Sequence, residues 1–183
     1  AAFSRDGKEV YFTRTVKGKK EKNQKTIIST LQILYSKKDS TEKWSKPVSA
    51  FDFNSSQYSV AHPSLTKNGK YLYFMSDMPG GQGGTDIYYV KKNEDGSWGK
   101  PVNLGPEVNT FGHEMYPFIA NDNTLYFSSD VHPGMGKLDI FSAHLTRGAA
   151  IIVPVQIPEE LVYIAPESTA QERSVILSSF SSI

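Results

Sequence analysis

Cysteine is absent from the 183 residues, which excludes disulfides, thiolate chemistry and cysteine-based metal sites. Compartment stays open on that ground, because a cysteine-free chain suits an oxidising periplasm as well as a reducing cytosol. Long apolar runs are also missing. No stretch approaches the ~20 residues that cross a bilayer as a helix, so direct membrane insertion is not expected, and the first residues lack the basic-then-apolar order of a signal peptide. Charge of one sign is missing too: 20 Lys and Arg stand against 19 Asp and Glu, a formal charge of +1, so the whole-molecule field gives no case for nucleic acid. The one local exception, Lys17 to Lys25 (KGKKEKNQK), has no aromatic residues among its lysines and reads as a solvated loop between two strands. No G-x-S-x-G nucleophile elbow occurs. The four histidines, His62, His113, His132 and His144, lack the i, i+4 spacing of a zinc site. The expectation is a non-enzymatic chain with no cofactor, no metal and no catalytic residues.

What is present points to strands. Aromatic residues make up 12% of the chain, and 14 Gly and 10 Pro supply turns, a mix suited to short strands punctuated by reversals. Self-comparison then finds a repeat. FSRDGKEVYFTR (Phe3 to Arg14), SLTKNGKYLYFMSD (Ser64 to Asp77) and FIANDNTLYFSSD (Phe118 to Asp130) superpose, with Phe12, Phe74 and Phe127 in one slot. Each begins with a polar turn, Asp6-Gly7, Asn68-Gly69 or Asp122-Asn123, of the kind that reverses a chain. The strand that follows alternates large apolar residues with Tyr, which predicts a sheet packed on both faces.

The second half of the unit repeats as SDMPGGQGGTDIYYV (Ser76 to Val90) and SDVHPGMGKLDIFSA (Ser129 to Ala143), a strand, a glycine loop and a strand. In the first unit the lysine-rich loop replaces the glycine loop, and LQILYS, Leu31 to Ser36, is its strand. EKWSKPVSA and GSWGKPVNLG close the first two units. Trp44 and Trp98 stand in matching places, which argues for blade packing, and the prolines suit an outer edge strand. The repeat therefore predicts an all-β fold of four-stranded antiparallel propeller blades. The units fall at about 1–57, 58–110 and 111–145, with 146–183 a divergent tail of extended or edge strands. Propellers use about four to eight blades, so three units imply an incomplete propeller or a piece of a larger one. The chain also opens directly on a strand motif, which reads as a segment of something longer.

At these residues the sequence resembles the TolB-like propeller repeats, whose S-P-D-G-K and D-I-Y signatures stand here as SRDGK at Ser4, TKNGK at Thr66, DIYY at Asp86 and DIFS at Asp139. More narrowly, Tyr58 to Phe141 looks like the propeller of OmpA-family outer-membrane proteins of bacteria using type IX secretion, PorE-like proteins among them. That resemblance covers roughly residues 1–145. It implies a protein-binding scaffold on the periplasmic side of the outer membrane whose partners are other envelope proteins. Peptidoglycan would be reached only through an OmpA-like domain not present in these residues.

Within that frame, His62-Pro63 and Tyr116-Pro117 occupy matching slots before their LYF strands and are expected toward the central channel. His62, His113, Glu114 and Tyr116 are accordingly the candidate binding residues. Asp77, Asp86, Asp130 and Asp139 flank glycine loops. GQGGTD resembles one turn of a calcium-binding β-roll, but without a tandem array the expected role is structural, with Asp77 and Asp130 accepting backbone N–H bonds from the glycine loops that follow them. A small-molecule, glycan or calcium-binding propeller, and the accessory propeller of a hydrolase, remain the rival readings.

Overall fold

The computed structural model describes residues 1–17, 29–133, 137–146 and 149–155. These residues form twelve strands in three four-stranded antiparallel sheets. The first blade holds β1 (Ala2–Phe3), β2 (Glu9–Lys17), β3 (Ser29–Lys37) and β4 (Val48–Ser49). The second holds β5 (Val60–Leu65), β6 (Tyr71–Ser76), β7 (Asp86–Lys91) and β8 (Val102–Asn103). The third holds β9 (Glu114–Ile119), β10 (Thr124–Ser129), β11 (Asp139–Thr146) and β12 (Ala149–Pro154). Strands pair in chain order within each sheet, and β5 lies beside both β1 and β9, so the first strand of every blade faces a common axis. The third sheet runs past residue 145, because β12 pairs with β11 from Thr146↔Ala149 to Phe141↔Pro154. Lys-rich residues 18–28 and the apolar segments 161–165 and 174–180 lie outside the described residues.

The turns explain why the repeat folds three times alike. Gly7, Gly69 and Asn123 share one slot and take φ of 67°, 67° and 66°, a left-handed conformation that glycine and asparagine adopt readily. The residue before each one pins the reversal: Asp6, Asn68 and Asp122 accept backbone N–H bonds from Lys8, Lys70 and Thr124 at 3.1, 2.9 and 3.0 Å.

Side-chain alternation then gives every sheet a front face toward the next blade and a back face toward the previous one. Tyr11 and Ile33 on the front of blade 1, with Phe51 beyond β4, meet Leu72, Phe74, Tyr88 and Val90 on the back of blade 2. Tyr73, Met75 and Ile87 on the front of blade 2, with Val108, meet Leu125, Phe127, Phe141 and Ala143 on the back of blade 3. Each such side chain contributes roughly 1.5–3 kcal/mol by leaving water.

An amide clamp seals each joint. Asn54 Nδ2 donates to Ile33 O at 2.7 Å and its Oδ1 accepts from Ile33 N at 3.4 Å. Asn109 does the same to Ile87, at 3.0 and 2.7 Å. The tryptophans share a slot but not an environment. Trp98 meets Tyr11 and Phe51 of the preceding blade, whereas Trp44 is 43% exposed and meets Phe3 of its own blade.

Candidate functional site

Each of the two inner strands β5 and β9 carries one irregularity, at the same slot. The β5–β6 register shifts between Ala61 and Ser64, and the β9–β10 register shifts between Phe118 and Met115. The bulged residues are His62-Pro63 and Tyr116-Pro117, and His62 and Tyr116 both take φ of 55°. A non-glycine residue held there costs on the order of 1–3 kcal/mol, and such conformations cluster at functional sites. The outcome is a pair of rings aimed at each other: His62 of blade 2 stacks on Tyr116 of blade 3 with centroids 4.2 Å apart and planes 22° apart. His62 N donates to Thr13 Oγ1 of blade 1 at 2.9 Å, so this residue touches all three blades. Burial, with a smaller push from the chain's amino terminus, holds the His62 imidazole below its ordinary value of 6.5. Its Nδ1 is buried with no partner among the described residues. A neutral ring with one unpaired nitrogen can give or take a single hydrogen bond.

His113 and Glu114 belong elsewhere. Glu114, expected to face the channel, is fully buried. Its carboxylate accepts bonds from Thr110 N at 2.7 Å, Thr110 Oγ1 at 2.7 Å and Ser129 Oγ at 2.6 Å, so it braces the loop that leads into β9. His113 is exposed, and its ring lies over the backbone of Gly84, where an added Cβ would come within 2.3 Å of it. Nδ1 of His113 is 3.3 Å from Thr85 Oγ1. An added Cβ on Gly83 would come within 2.3 Å of Thr110 O. The glycine loop of blade 2 is thus the backbone-to-backbone seam between blades 2 and 3, closed by Gly84 N and Glu114 N, which donate to Gly112 O and Thr85 O. At its rim stands Phe111, 80% exposed, on the loop that Glu114 braces.

The aspartates divide differently from the expectation. Asp77 Oδ1 accepts from Ser59 N at 2.5 Å and Asp130 Oδ1 from His113 N at 2.7 Å. Both therefore bond to the segment leading into the inner strand of their own blade, and among the described residues neither carboxylate takes a bond from the glycine loop that follows. The reason is register: each Asp directly follows a strand whose last residue pairs with the start of the inner strand, Ser76 with Val60 and Ser129 with Glu114. Asp86 takes the glycine-loop role instead, accepting from Gln82 N at 2.6 Å and Asn103 Nδ2 at 3.0 Å. Asp139 opens β11. Among the described residues no three His, Asp or Glu side chains converge to hold a metal ion.

Nothing in the sequence marks Asn54 and Asn109 as clamps, Glu114 as a brace or Phe111 as exposed. The asparagines stand seven and eight residues after Pro47 and Pro101, a slip of one position that hides their equivalence. Gly83 and Gly84 were visible as a loop but not as a joint.

The architecture defines a class: a β-propeller segment of consecutive four-stranded antiparallel blades. No family model matches the sequence, and no curated protein matches it. Among solved structures, TolB from Acinetobacter baumannii is similar in fold, with a TM-score of 0.50 and 14% identity over 86% of this chain and 31% of the TolB chain. The fold is TolB-like, and the chain spans less than a third of that neighbour's length.

Proposed function

We propose that this chain is a non-enzymatic protein-binding propeller module of a bacterial envelope scaffold, on the periplasmic side of the outer membrane. The observation that carries the reading is Phe111. A large apolar side chain left 80% exposed on a loop fixed by the buried Glu114 carboxylate contributes little to folding. Rigidly presented aromatic residues of this kind serve as anchors in protein interfaces. Exposed His113 and Tyr116 extend the surface toward the inner strands. The envelope placement rests on the resemblance of Tyr58 to Phe141 to the OmpA-family propellers, and the link to type IX secretion is the finest form of that reading.

The test is photo-crosslinking from position 111 of the intact parent protein in fractionated cells. A discrete protein adduct in the outer-membrane fraction, absent when the probe is moved to exposed Lys67, is expected. A parent protein found in the cytosol, or position 111 giving no protein adduct, overturns the reading.

A second reading, a small-ligand or calcium-binding propeller, has one observation in its favour. Asp86 Oδ1 is buried beside the glycine loop of blade 2 and carries no hydrogen-bond partner among the described residues. Calorimetric titration with calcium chloride and with muropeptides separates the two: saturable heat that Asp86→Asn abolishes would favour the second.

A further inference from the structure

The formal charge of +1 hides an uneven distribution. The turns that join β1 to β2, β3 to β4, β5 to β6 and β7 to β8 all lie at one end of their strands, because neighbouring strands run antiparallel. That end of blades 1 and 2, residues 4–9, 37–46, 66–71 and 91–101, holds eleven Lys and Arg against six Asp and Glu, and the rest of the chain holds nine against thirteen. The repeat places the cations. Arg5 and Lys8 of the first turn recur as Lys67 and Lys70 between β5 and β6, and Lys37-Lys38 at the end of β3 recurs as Lys91-Lys92 at the end of β7. Blade 3 breaks the pattern: its turn, Asn121 to Thr124, has no cation, and His144 fills the slot of Lys37 and Lys91. Between the turns of blades 1 and 2 lies a cleft of about 740 Å3, with Arg5, Lys8, Lys37, Lys38 and Lys67 in its wall. The carboxylates beside it are already engaged. Asp6 accepts from Ser4 Oγ and Lys8 N, and Glu9 accepts from Tyr35 OH at 2.8 Å and pairs with Lys92 at 3.4 Å. Lys38 pairs with Glu42, whereas Arg5, Lys8, Lys37 and Lys67 are exposed and form no ion pair among the described residues.

We propose that this end of blades 1 and 2 rests on an anionic phospholipid surface, with headgroup phosphates seated in the cleft. Blades of a propeller stand side by side around an axis, so further blades lie beside this surface and not across it. Residue type selects the partner. Ten of the eleven cations are lysine, a strongly hydrated point charge on a flexible stem that suits a diffuse layer of phosphates. Arginine, with its rigid fork, is the residue that grips a single phosphate, carboxylate or guanine in fixed geometry. Lysine is also depleted in protein interfaces, and among the described residues no apolar or aromatic side chain lines the cleft to anchor a protein or stack on a base. What remains is attraction spread over two rows of lysine, to which each cation held near an anionic leaflet adds. The contact is peripheral and inserts no segment. Phe111 stands on the loop that leads into β9, whose far end is the Asn121 to Thr124 turn, so a protein partner at Phe111 and a lipid surface at the lysines occupy opposite ends of the blades. The inference does not draw on the envelope reading.

The test is co-sedimentation of the 183-residue chain with phosphatidylcholine vesicles, with and without phosphatidylglycerol, in low and high sodium chloride. Binding about tenfold tighter to the vesicles that contain phosphatidylglycerol is expected, and high salt should abolish the difference by screening the lysines. R5E with K67E reverses one exposed charge from each blade at the cleft and should weaken that binding about tenfold. R14E with K137E makes the same change in net charge at exposed residues outside this end and should bind as the wild type does. Should the reversal at the cleft alter the circular dichroism spectrum, R5Q with K67Q takes its place, with a smaller loss expected in the same direction. Equal binding to the two kinds of vesicle, equal loss from the cleft pair and the control pair, or duplex DNA held as tightly as the anionic vesicles overturns the proposal.

Discussion

The joint between blades 1 and 2 and the joint between blades 2 and 3 use the same slots and different chemistry. In both, a front-face Tyr is pushed up to about 12 by burial, Tyr11 at the first and Tyr73 at the second, and an Asn clamps the backbone of a buried Ile. Around these fixed points the first joint is an aromatic stack. Phe51 and Phe53 lie 4.6 Å apart at 9°, Phe74 lies 5.6 Å from each, and Trp98 caps the group. The second joint has Val108 in place of Phe53, a mixed core in which Met75, Ile87 and Leu125 pack with Tyr73, Phe127 and Phe141, and a glycine seam where backbone meets backbone. The slots are set by backbone register, which the turns repeat. The chemistry is set by whichever loop crosses the joint, and the loops are the part that diverges.

The largest effect expected from breaking this comparison is at the phenylalanine slot. Phe74→Ala opens a cavity in the first joint and should cost about 3–5 kcal/mol by urea denaturation, and Phe127→Ala should match it in the second. Phe12→Ala should cost less than half as much. An equal loss at Phe12 in a monomeric sample would mean that the back of blade 1 is already covered.

Gly83→Ala should come next, at about 2–3 kcal/mol, because the new Cβ meets the Thr110 and Phe111 backbone, which cannot move aside as a side chain would. The damage should stay in the second joint. Hydrogen exchange should quicken at residues 110–114 and not at 31–35, and equal quickening at both would show that the joints are not separable.

Asn109→Ala should cost about 1–2 kcal/mol, since Asn109 is 1% exposed and its loss strands Ile87 N, while Ile87 O keeps the bond from Leu104 N. Asn54→Ala should cost less, because water reaches its half-exposed position. The reverse order would contradict the reading of Asn54 as the more loosely sealed clamp.

The smallest expected effect is the pH response of His62, which stacks across the second joint. Burial lowers its pKa in the folded chain below 6.5, so on acidification the unfolded chain takes up a proton before the folded one does. The contribution of neutral His62 is thus fully present above pH 6.5 and is lost as pH falls through its lowered folded value. His62→Asn, which tolerates the positive φ, should flatten stability against pH between 6.5 and 5 relative to wild type. An unchanged slope would assign that slope to other groups.

How much of this was legible can be judged at single positions. Asp6-Gly7, Asn68-Gly69 and Asp122-Asn123 announce their turns because the φ they need is a property of those residue types. The Leu72 to Phe74 alternation announces a sheet buried on both sides because strand period is local. The His62 and Tyr116 slots could be matched, but not their stacking, since it joins residues on separate blades. Glu114 reads as a polar residue near the channel and is the most enclosed carboxylate of its blade, because only the fold reveals that Thr110 and Ser129 converge on it. Proximity in sequence points Asp77 and Asp130 to the loop that follows, whereas antiparallel pairing brings the segment before the inner strand closer in space.

The sequence by itself determined the all-β class, the three units and the turn that starts each one, since these follow from local conformational preference and period. Tertiary structure alone decided which glycines form a seam, which carboxylate is a brace, that residues 149–154 finish the third sheet, and that Trp44 and Trp98 stand in different surroundings. Those outcomes depend on which surface lies opposite, and one repeated surface meets a different neighbour in each blade.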